Sequence, residues 1–156
     1  MIPSDLADFN IYGGLYRYLN LVYLPEVSFE QIHLESSLSS NLKEGILKVK
    51  TSFYNPEDIR KADVTVSVYD VDRKPVFSKT LEGILPLGDQ LLAKMKIKNP
   101  VLWDVDVPQL YTCELTVKTP DQTFTTEERF GFRHTEFKDK GPFFLNGKHL
   151  LLRGTH

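Results

Sequence analysis

The feature that most constrains this chain is a strict alternation of apolar and polar side chains along several short runs. Val64, Val66 and Val68 alternate with Thr65 and Ser67. Because successive side chains of a β-strand point to opposite faces, a period of two indicates strands with one buried and one solvated face. The same period recurs in three further runs, 47–53, 91–97 and 111–117.

Turn-forming residues separate these runs and complete an all-β pattern. Asn-Pro pairs at 55–56 and 99–100 favour turns between strands. Within one run, the period predicts that Leu91 is buried and Leu92 exposed. Several short strands at this spacing are typical of an immunoglobulin-like β-sandwich, an antiparallel two-sheet fold, and not of an α/β fold. We predict seven strands, at 29–36, 45–54, 62–70, 75–80, 91–98, 110–119 and 122–132.

The composition is that of a globular domain with no general attraction for phosphate. The 19 basic and 21 acidic residues leave a formal net charge of -2. A charge this close to zero creates no field that draws in nucleic acid, so we expect no nucleic-acid partner. Lys48 and Lys50 fall at alternate positions, as do Lys94, Lys96 and Lys98, which indicates outward strand faces and not a binding cluster.

No apolar stretch approaches the roughly 20 residues that cross a membrane as a helix, so no membrane partner is expected. The single cysteine excludes an intramolecular disulfide. The sequence does not decide between a periplasmic, a secreted and a cytoplasmic location.

Two end segments lie outside the sandwich pattern. Residues 19–24 form a strand-like run that Pro25 closes. Asn146-Gly147 separates two apolar runs, and this pair favours a two-residue hairpin because both residues accept positive φ. We therefore predict a remnant strand before the sandwich and a β-hairpin after it. The apolar run 150–152 would need cover from further protein.

Four passages occur in a fixed order along most of the chain. They are Tyr12-Gly13-Gly14-Leu15-Tyr16-Arg17, then Pro100-Val101-Leu102-Trp103 with Pro108-Gln109-Leu110-Tyr111, then Arg129-Phe130-Gly131-Phe132-Arg133, and last Phe144-Leu145-Asn146-Gly147-Lys148 with Leu152-Arg153-Gly154. Together they resemble family 2 glycoside hydrolases of the β-galactosidase and β-glucuronidase type.

The resemblance implies a fragment of a multidomain enzyme. Residues 1–26 would end a jelly-roll sugar-binding domain, 27–133 would form the immunoglobulin-like sandwich, and 134–156 would link to a (β/α)₈ catalytic barrel and open it with a hairpin. The implied function is a non-catalytic structural domain of a β-galactosidase-like, retaining exo-glycosidase that hydrolyses terminal β-linked sugars in carbohydrate metabolism, and the chain alone is expected to be inactive. Its implied partners are its own jelly-roll and barrel domains and the parent's oligosaccharide substrate. A homo-oligomer, and the choice between galactose and glucuronic acid, stay open.

The resemblance assigns no catalytic residue to this chain. In the family the acid/base glutamate follows an asparagine, and this sequence contains no Asn-Glu dipeptide. Residues after the Arg-Gly motif line the family's sugar pocket, which implies that Arg153 and His156 approach substrate in the intact enzyme. The alternative is that Arg153 fixes the strand end and that His156 is a frayed terminus.

Neither a metal nor another cofactor is expected. The four histidines match no zinc spacing, and there is no second cysteine. Gly13-Gly14 precedes a strand-like run and not a helix, so it gives no support to phosphate binding.

The carboxylates that the sequence places close together also give no catalytic pair. Glu127 and Glu128 are adjacent on a strand, so their side chains should point to opposite faces. Asp104 and Asp106 share a face but lie in a loop, where solvated carboxylates are expected.

Three further side chains have competing interpretations. Cys113 alternates with Tyr111 and Leu115, which favours a small core residue over a nucleophile. Tyr111 itself favours a packing role similar to a tyrosine corner. Trp103 could stack on a sugar ring, but its apolar neighbours favour packing over a sheet edge. Sugar stacking would fit the rival hypothesis of a stand-alone immunoglobulin-like carbohydrate-binding or adhesion module. A second rival hypothesis is that the chain is itself an enzyme.

Overall fold

The computed structural model describes residues 14–15 and 18–154. No helix among these residues is long and apolar enough to cross a membrane. The strands are β1 Ser28–Leu38, β2 Glu44–Tyr54, β3 Ala62–Tyr69, β4 Pro75–Ile84, β5 Asp89–Lys98, β6 Tyr111–Lys118, β7 Thr123–Phe130, β8 Thr135–Phe137, β9 Phe143–Leu145 and β10 Lys148–His149.

The first seven strands form two antiparallel sheets that face each other. One sheet has the order β1-β2-β5 and the other the order β4-β3-β6-β7. The predicted all-β, immunoglobulin-like sandwich is therefore confirmed, and all seven predicted strands are present. The strand predicted to end at residue 80 continues to Ile84, because β4 stays paired with β3 across an irregularity in the register.

The core lies between the sheets and consists of the inward residues of each strand. Val64, Val66 and Val68 of β3 are fully buried, as are Cys113 and Leu115 of β6. Burying a side chain of valine or leucine size contributes about 1.5–3 kcal/mol relative to leaving it in water. This inter-sheet packing therefore holds the sandwich together.

One part of the predicted burial pattern is wrong. Leu91 is 55% exposed, whereas Leu92 is buried at 1% exposure. The register between β2 and β5 passes from Val49 opposite Ala93 to Lys50 opposite Leu91, so β5 carries an extra residue at this point. Such a β-bulge reverses the inward and outward alternation on one side of it.

An aromatic cluster closes the end of the core. Tyr111 stacks on Phe130 with ring centroids 5.5 Å apart, and both rings meet Phe132 edge to face. Phe132 is fully buried and packs directly over Gly45 of β2. A Cβ atom at Gly45 would lie 2.7 Å from the Phe132 ring, so only glycine leaves room for it.

The last three strands form a small separate sheet of order β10-β9-β8. Its β9–β10 hairpin turns at Asn146 and Gly147, which have φ values of 51° and 79°. Both values are positive, as the predicted two-residue turn requires, so the hairpin is confirmed. It ends at His149, and the described residues 150–154 are not part of a strand.

The strand predicted before the sandwich does not form within the described residues. Residues 18–25 have no strand assignment, and Leu19, Leu21 and Tyr23 are each at least 80% exposed. A strand is assigned only where its backbone hydrogen-bonds to a neighbouring strand, and this run pairs with none of the described strands. The assignment of 1–26 to a preceding jelly-roll domain stays a prediction, as do the boundaries at 27–133 and 134–156.

Candidate functional site

The two residues that the family resemblance implies for substrate contact, Arg153 and His156, lie at the end of the sequence. Arg153 follows the last strand, and its side chain is exposed. His156 lies outside the described residues. Among the ion pairs of the described part, none includes Arg153. Contact of these two residues with substrate stays a prediction.

The structure brings together a carboxylate pair that the sequence analysis missed. Glu114 of β6 lies directly opposite Glu127 of β7, on the outer face of the four-stranded sheet. Arg73, from the turn between β3 and β4, donates hydrogen bonds to both carboxylate oxygens of Glu127 at 3.2 and 3.3 Å. The Tyr69 hydroxyl donates to Glu114 at 3.4 Å. These four residues line one shallow depression of about 200 Å³.

Part of this cluster could have been found from sequence. The Thr119 amide donates to the Gln122 carbonyl at 2.9 Å, so the β6–β7 hairpin pairs residues that lie equally far from this turn. That symmetry places Glu114 opposite Glu127. Arg73 belongs to a different hairpin, so no local sequence pattern predicts that it lies beside Glu127.

The environment of the pair does not suit acid/base chemistry on a glycosidic bond. A retaining glycosidase needs one carboxyl group held protonated near a second, ionised one. Here the Glu127 side chain is 43% exposed and forms an ion pair with Arg73 at 3.2 Å, so it lies open to solvent and not in an enclosed pocket. No aspartate or glutamate among the described residues is buried. The cluster is a surface ion pair that relieves repulsion between two like charges.

Cys113 is a core residue. It is fully buried, and burial raises the pKa of its thiol to about 12, with smaller contributions from Glu114 and Glu128. A thiol that stays protonated at ordinary pH is a poor nucleophile, because the thiolate is the reactive form.

The Tyr111 hydroxyl serves the backbone and not a substrate. It accepts a hydrogen bond of 2.9 Å from the Val101 amide, and burial raises its pKa. This is the packing role expected from the sequence, since the bond ties the loop before β6 to the core.

Trp103 and Asn146 join the sandwich to the small sheet. The Trp103 amide donates to the Phe132 carbonyl at 2.8 Å, and the Asn146 side-chain amide donates to the Trp103 carbonyl at 2.9 Å. The His134 amide donates to the Asn146 side-chain oxygen at 2.9 Å. The Arg133 guanidinium lies 5.1 Å from the centre of the Trp103 ring. Trp103 is half-buried, and a ring covered by a guanidinium offers less surface to a sugar.

The outer face of the three-stranded sheet gathers lysines from two strands. Lys48 and Lys50 of β2 share it with Lys94, Lys96 and Lys98 of β5, and Lys48 lies directly opposite Lys94. The outward strand faces predicted from the lysine spacing are confirmed. The spacing did not show that the two rows share one face, because β2 and β5 are neighbours in space although Lys48 and Lys94 are 46 residues apart in sequence. We call these five residues the lysine face.

No group of three or more metal-ligating side chains occurs among the residues that the structure describes. The expectation of no metal therefore rests on the sequence argument, and it stays a prediction for the whole chain.

Comparison with protein families identifies the group to which this chain is related. The model of the family described as glycosyl hydrolases family 2 matches residues 27–133, which is more than half of the sequence. The chain belongs to glycosyl hydrolases family 2. The resemblance seen in the sequence motifs is confirmed, and the matched range coincides with the sandwich.

Individual glycosidases are also similar to this family 2 chain. It is similar to the crystal structure of a β-glucuronidase from Parabacteroides merdae, with 99% identity over 100% of the chain and a TM-score of 0.94. It is 42% identical over 100% of its length to β-glucuronidase 3 from Bacteroides uniformis, with a TM-score of 0.83. A β-galactosidase from Priestia megaterium is 31% identical over 96% of the chain.

The family 2 chain is much shorter than these proteins. It spans 20% of the Parabacteroides merdae protein, 19% of the Bacteroides uniformis protein and 15% of the Priestia megaterium protein. It is therefore similar to one portion of larger glycosidases.

Proposed function

We propose that this chain is the non-catalytic sandwich of a larger retaining β-glycosidase, in which it joins the sugar-binding domain to the catalytic barrel. The observation that carries this proposal is that the facing carboxylates are exposed and lie beside an arginine. The two that face each other, Glu114 and Glu127, lie on an open surface against Arg73, and no described carboxylate is buried. Hydrolysis through a covalent intermediate needs an enclosed pair, which other parts of the whole protein would supply.

The contacts at the C-terminal end support a connecting role. Asn146 accepts one hydrogen bond and donates another through its side chain, and its backbone amide donates to the His134 carbonyl at 2.8 Å. These bonds orient the hairpin relative to the loop that carries Trp103. A connecting domain needs such directional contacts, because apolar packing alone does not fix an orientation between layers.

For the whole protein we propose terminal β-glucuronides as substrates. The support is the name of the 99% identical Parabacteroides merdae protein and of the 42% identical Bacteroides uniformis protein, both β-glucuronidases. The β-galactosidase of Priestia megaterium is a more distant relative at 31% identity. Arg153 and His156 are the residues of this chain that we propose to approach the sugar.

The test compares the 156-residue chain with the complete Parabacteroides merdae protein on chromogenic β-glucuronide and β-galactoside substrates. We expect the chain to release chromophore no faster than buffer, and the complete protein to prefer the glucuronide. In the complete protein, the double variant Glu114→Gln with Glu127→Gln should keep at least about half of the wild-type kcat, as expected for surface substitutions.

Two results would contradict the proposal. Turnover by the isolated chain would place chemistry within it. Loss of kcat by about 10⁴-fold in the folded double variant would make Glu114 and Glu127 a catalytic pair. Preference for the galactoside would change only the proposed substrate.

A further inference from the structure

The lysine face is a concentrated positive surface on a chain of net negative charge. Side chains two residues apart on a strand are separated by about 6.7 Å, so Lys94, Lys96 and Lys98 form an evenly spaced row along β5. Lys48 and Lys50 extend the face onto β2, roughly 4.8 Å away. β5 lies at the edge of its sheet, so one side of the row is open.

Few carboxylates offset this charge. Glu35 pairs with Lys50, and with Lys48 at 3.4 Å, while Glu44 pairs with Lys96 at 2.8 Å. The hydrogen bond from Lys50 is the main cause that lowers the pKa of Glu35. Among the ion pairs of the described residues, none includes Lys94 or Lys98. A surplus of ammonium groups therefore remains on the face.

The repulsion between lysines on this face lowers the stability of the folded chain, which argues that the lysine face has a function. Lys48 and Lys94 lie directly opposite each other in the β2–β5 register, and like charges at such positions are destabilising. An acidic residue at position 94 would turn this repulsion into attraction. An external anion that bridges the two ammonium groups would have the same effect.

A groove of about 380 Å³ opens at one end of the face. Polar and ionisable side chains line it, among them His33 and Lys50, which lie opposite each other, and Gln90. Asp89 also contributes to the rim, and Leu91, turned outward by the β-bulge, adds an apolar surface. A groove with an ammonium group, hydrogen-bond donors and one apolar wall fits a carboxylated sugar ring.

We propose that the lysine face binds an anionic polysaccharide, a polymer that carries carboxylate or sulfate groups on successive sugars. Ammonium groups act as point charges, so a row of them suits a chain of separate anionic groups. The outer face of the three-stranded sheet carries no phenylalanine, tyrosine or tryptophan at the register positions that flank the lysines, and single-stranded nucleic acids use such rings as stacking platforms. The preference for a sugar polymer over other polyanions rests on the proposed glycosidase function.

The experiment measures retention of the 156-residue chain on immobilised heparin, a sulfated polymer that contains uronic acid, with dextran as the neutral polymer. Isothermal titration with soluble heparin gives the Kd. The face variant replaces three lysines of the edge strand, as Lys94→Gln, Lys96→Gln and Lys98→Gln. The control variant has the same net charge and replaces three exposed lysines elsewhere, as Lys118→Gln, Lys140→Gln and Lys148→Gln.

We expect heparin to bind and dextran not to bind, and added salt to weaken the complex because exposed charges are screened. The face variant should bind at least about tenfold more weakly than the control variant. Since Lys94→Gln also removes the repulsion with Lys48, the face variant should stay folded, and its circular dichroism and unfolding midpoint check this. If the triple variant unfolds, Lys94→Gln alone should still weaken binding.

Three results would overturn the proposal. Equal weakening in the face and control variants would mean that only net charge matters. Tighter binding to DNA than to heparin would assign the face to nucleic acid. Unchanged binding in the face variant, accompanied by aggregation, would mean that these lysines serve only to keep the sheet edge unpaired. Because no turnover is measured, each of these failures leaves the proposed glycosidase function untouched.

Discussion

The sandwich and the small C-terminal sheet are both antiparallel β-structures, yet different forces hold them. The sandwich strands are eight to eleven residues long and bury a continuous apolar core. The strands of the small sheet are two or three residues long, and Leu145 is its one buried apolar side chain. Its other contacts include a ring contact of 4.7 Å between Phe137 and Phe143 and the side-chain hydrogen bonds of Asn146.

This difference separates stability from orientation. Apolar burial is non-directional, so it makes the sandwich stable while depending little on any single contact geometry. Hydrogen bonds are directional, and each contributes only about 0.5–1.5 kcal/mol in net terms. The two side-chain hydrogen bonds of Asn146, which we call the clamp, therefore orient the small sheet but add little to its stability. Substitutions in the two regions should therefore differ in size and in kind.

The largest effect is expected in the sandwich core. Leu115 is fully buried, and Leu115→Ala should lower the free energy of unfolding by about 2–5 kcal/mol because it leaves a cavity. Urea unfolding followed by tryptophan fluorescence measures this loss. The control Leu87→Ala removes a leucine that is 60% exposed and should cost less than about 0.5 kcal/mol. Equal losses would remove the distinction between core and surface.

Overpacking the same core should have the next largest effect. Gly45→Ala would place a methyl group 2.7 Å from the Phe132 ring and should cost about 1–3 kcal/mol. The double variant with Phe132→Leu should cost less than the sum of the single changes, since the smaller side chain leaves room for the methyl. Gly154→Ala, where the added methyl meets nothing within 4 Å, is the matched control. Strict additivity would show that the close approach is not the cause.

Alkaline pH should test the core through Cys113. Its pKa is raised to about 12 in the folded chain from an ordinary value of 9.0, so folding favours the protonated thiol. Stability from this group is complete below about pH 9 and is lost as pH rises towards 12, at up to about 1.4 kcal/mol per pH unit. Compared with Cys113→Val, the wild type should lose an additional ~1–2 kcal/mol between pH 8.5 and 10.5. Parallel stability curves for the two proteins would contradict a buried thiol.

The clamp should give a smaller and local effect. Asn146→Gly keeps the positive φ of the turn but removes two side-chain hydrogen bonds, at a cost of about 1–2 kcal/mol. Amide exchange should quicken in 135–149 and stay unchanged in 62–69. Asn146→Asp keeps the acceptor for the His134 amide, so its stability should lie between those of Asn146→Gly and the wild type. Faster exchange across the whole sandwich would mean that the two regions unfold as one unit.

The smallest effect is expected at the sandwich surface. Arg73→Asn, which tolerates the φ of 63°, should cost at most about 1 kcal/mol because the ion pair with Glu127 is exposed. The loss should shrink in 1 M salt and in the Glu127→Gln background, as a double-mutant cycle in urea measures. A loss that persists in both conditions would point to a packing role for Arg73.

Local sequence predicts much of the fold because the relevant forces act over a few residues. The alternation of Val64, Val66 and Val68 predicts their burial, and Asn146-Gly147 predicts its own turn. The failures have one cause. The strand-like run 19–24 has strand propensity but pairs with no described strand, and the β-bulge that exposes Leu91 arises from pairing with β2. Strand pairing is decided by chain topology, which no short window contains.

The same limit applies to the candidate sites. Register symmetry within one hairpin could have placed Glu114 opposite Glu127, but no local pattern brings Arg73 to them. The guanidinium of Arg133 over Trp103 likewise depends on how the loop before β6 folds back to the end of the sandwich.

Sequence by itself determined the all-β class, the seven strands of the sandwich, the hairpin turn and the family, because periodicity, turn chemistry and short motifs are properties of neighbouring residues. Only the tertiary structure decided that lysines from β2 and β5 share one face, and that the facing carboxylates are tied to an arginine in the open. Those juxtapositions depend on which strands become neighbours, and that follows from burying the whole core at once.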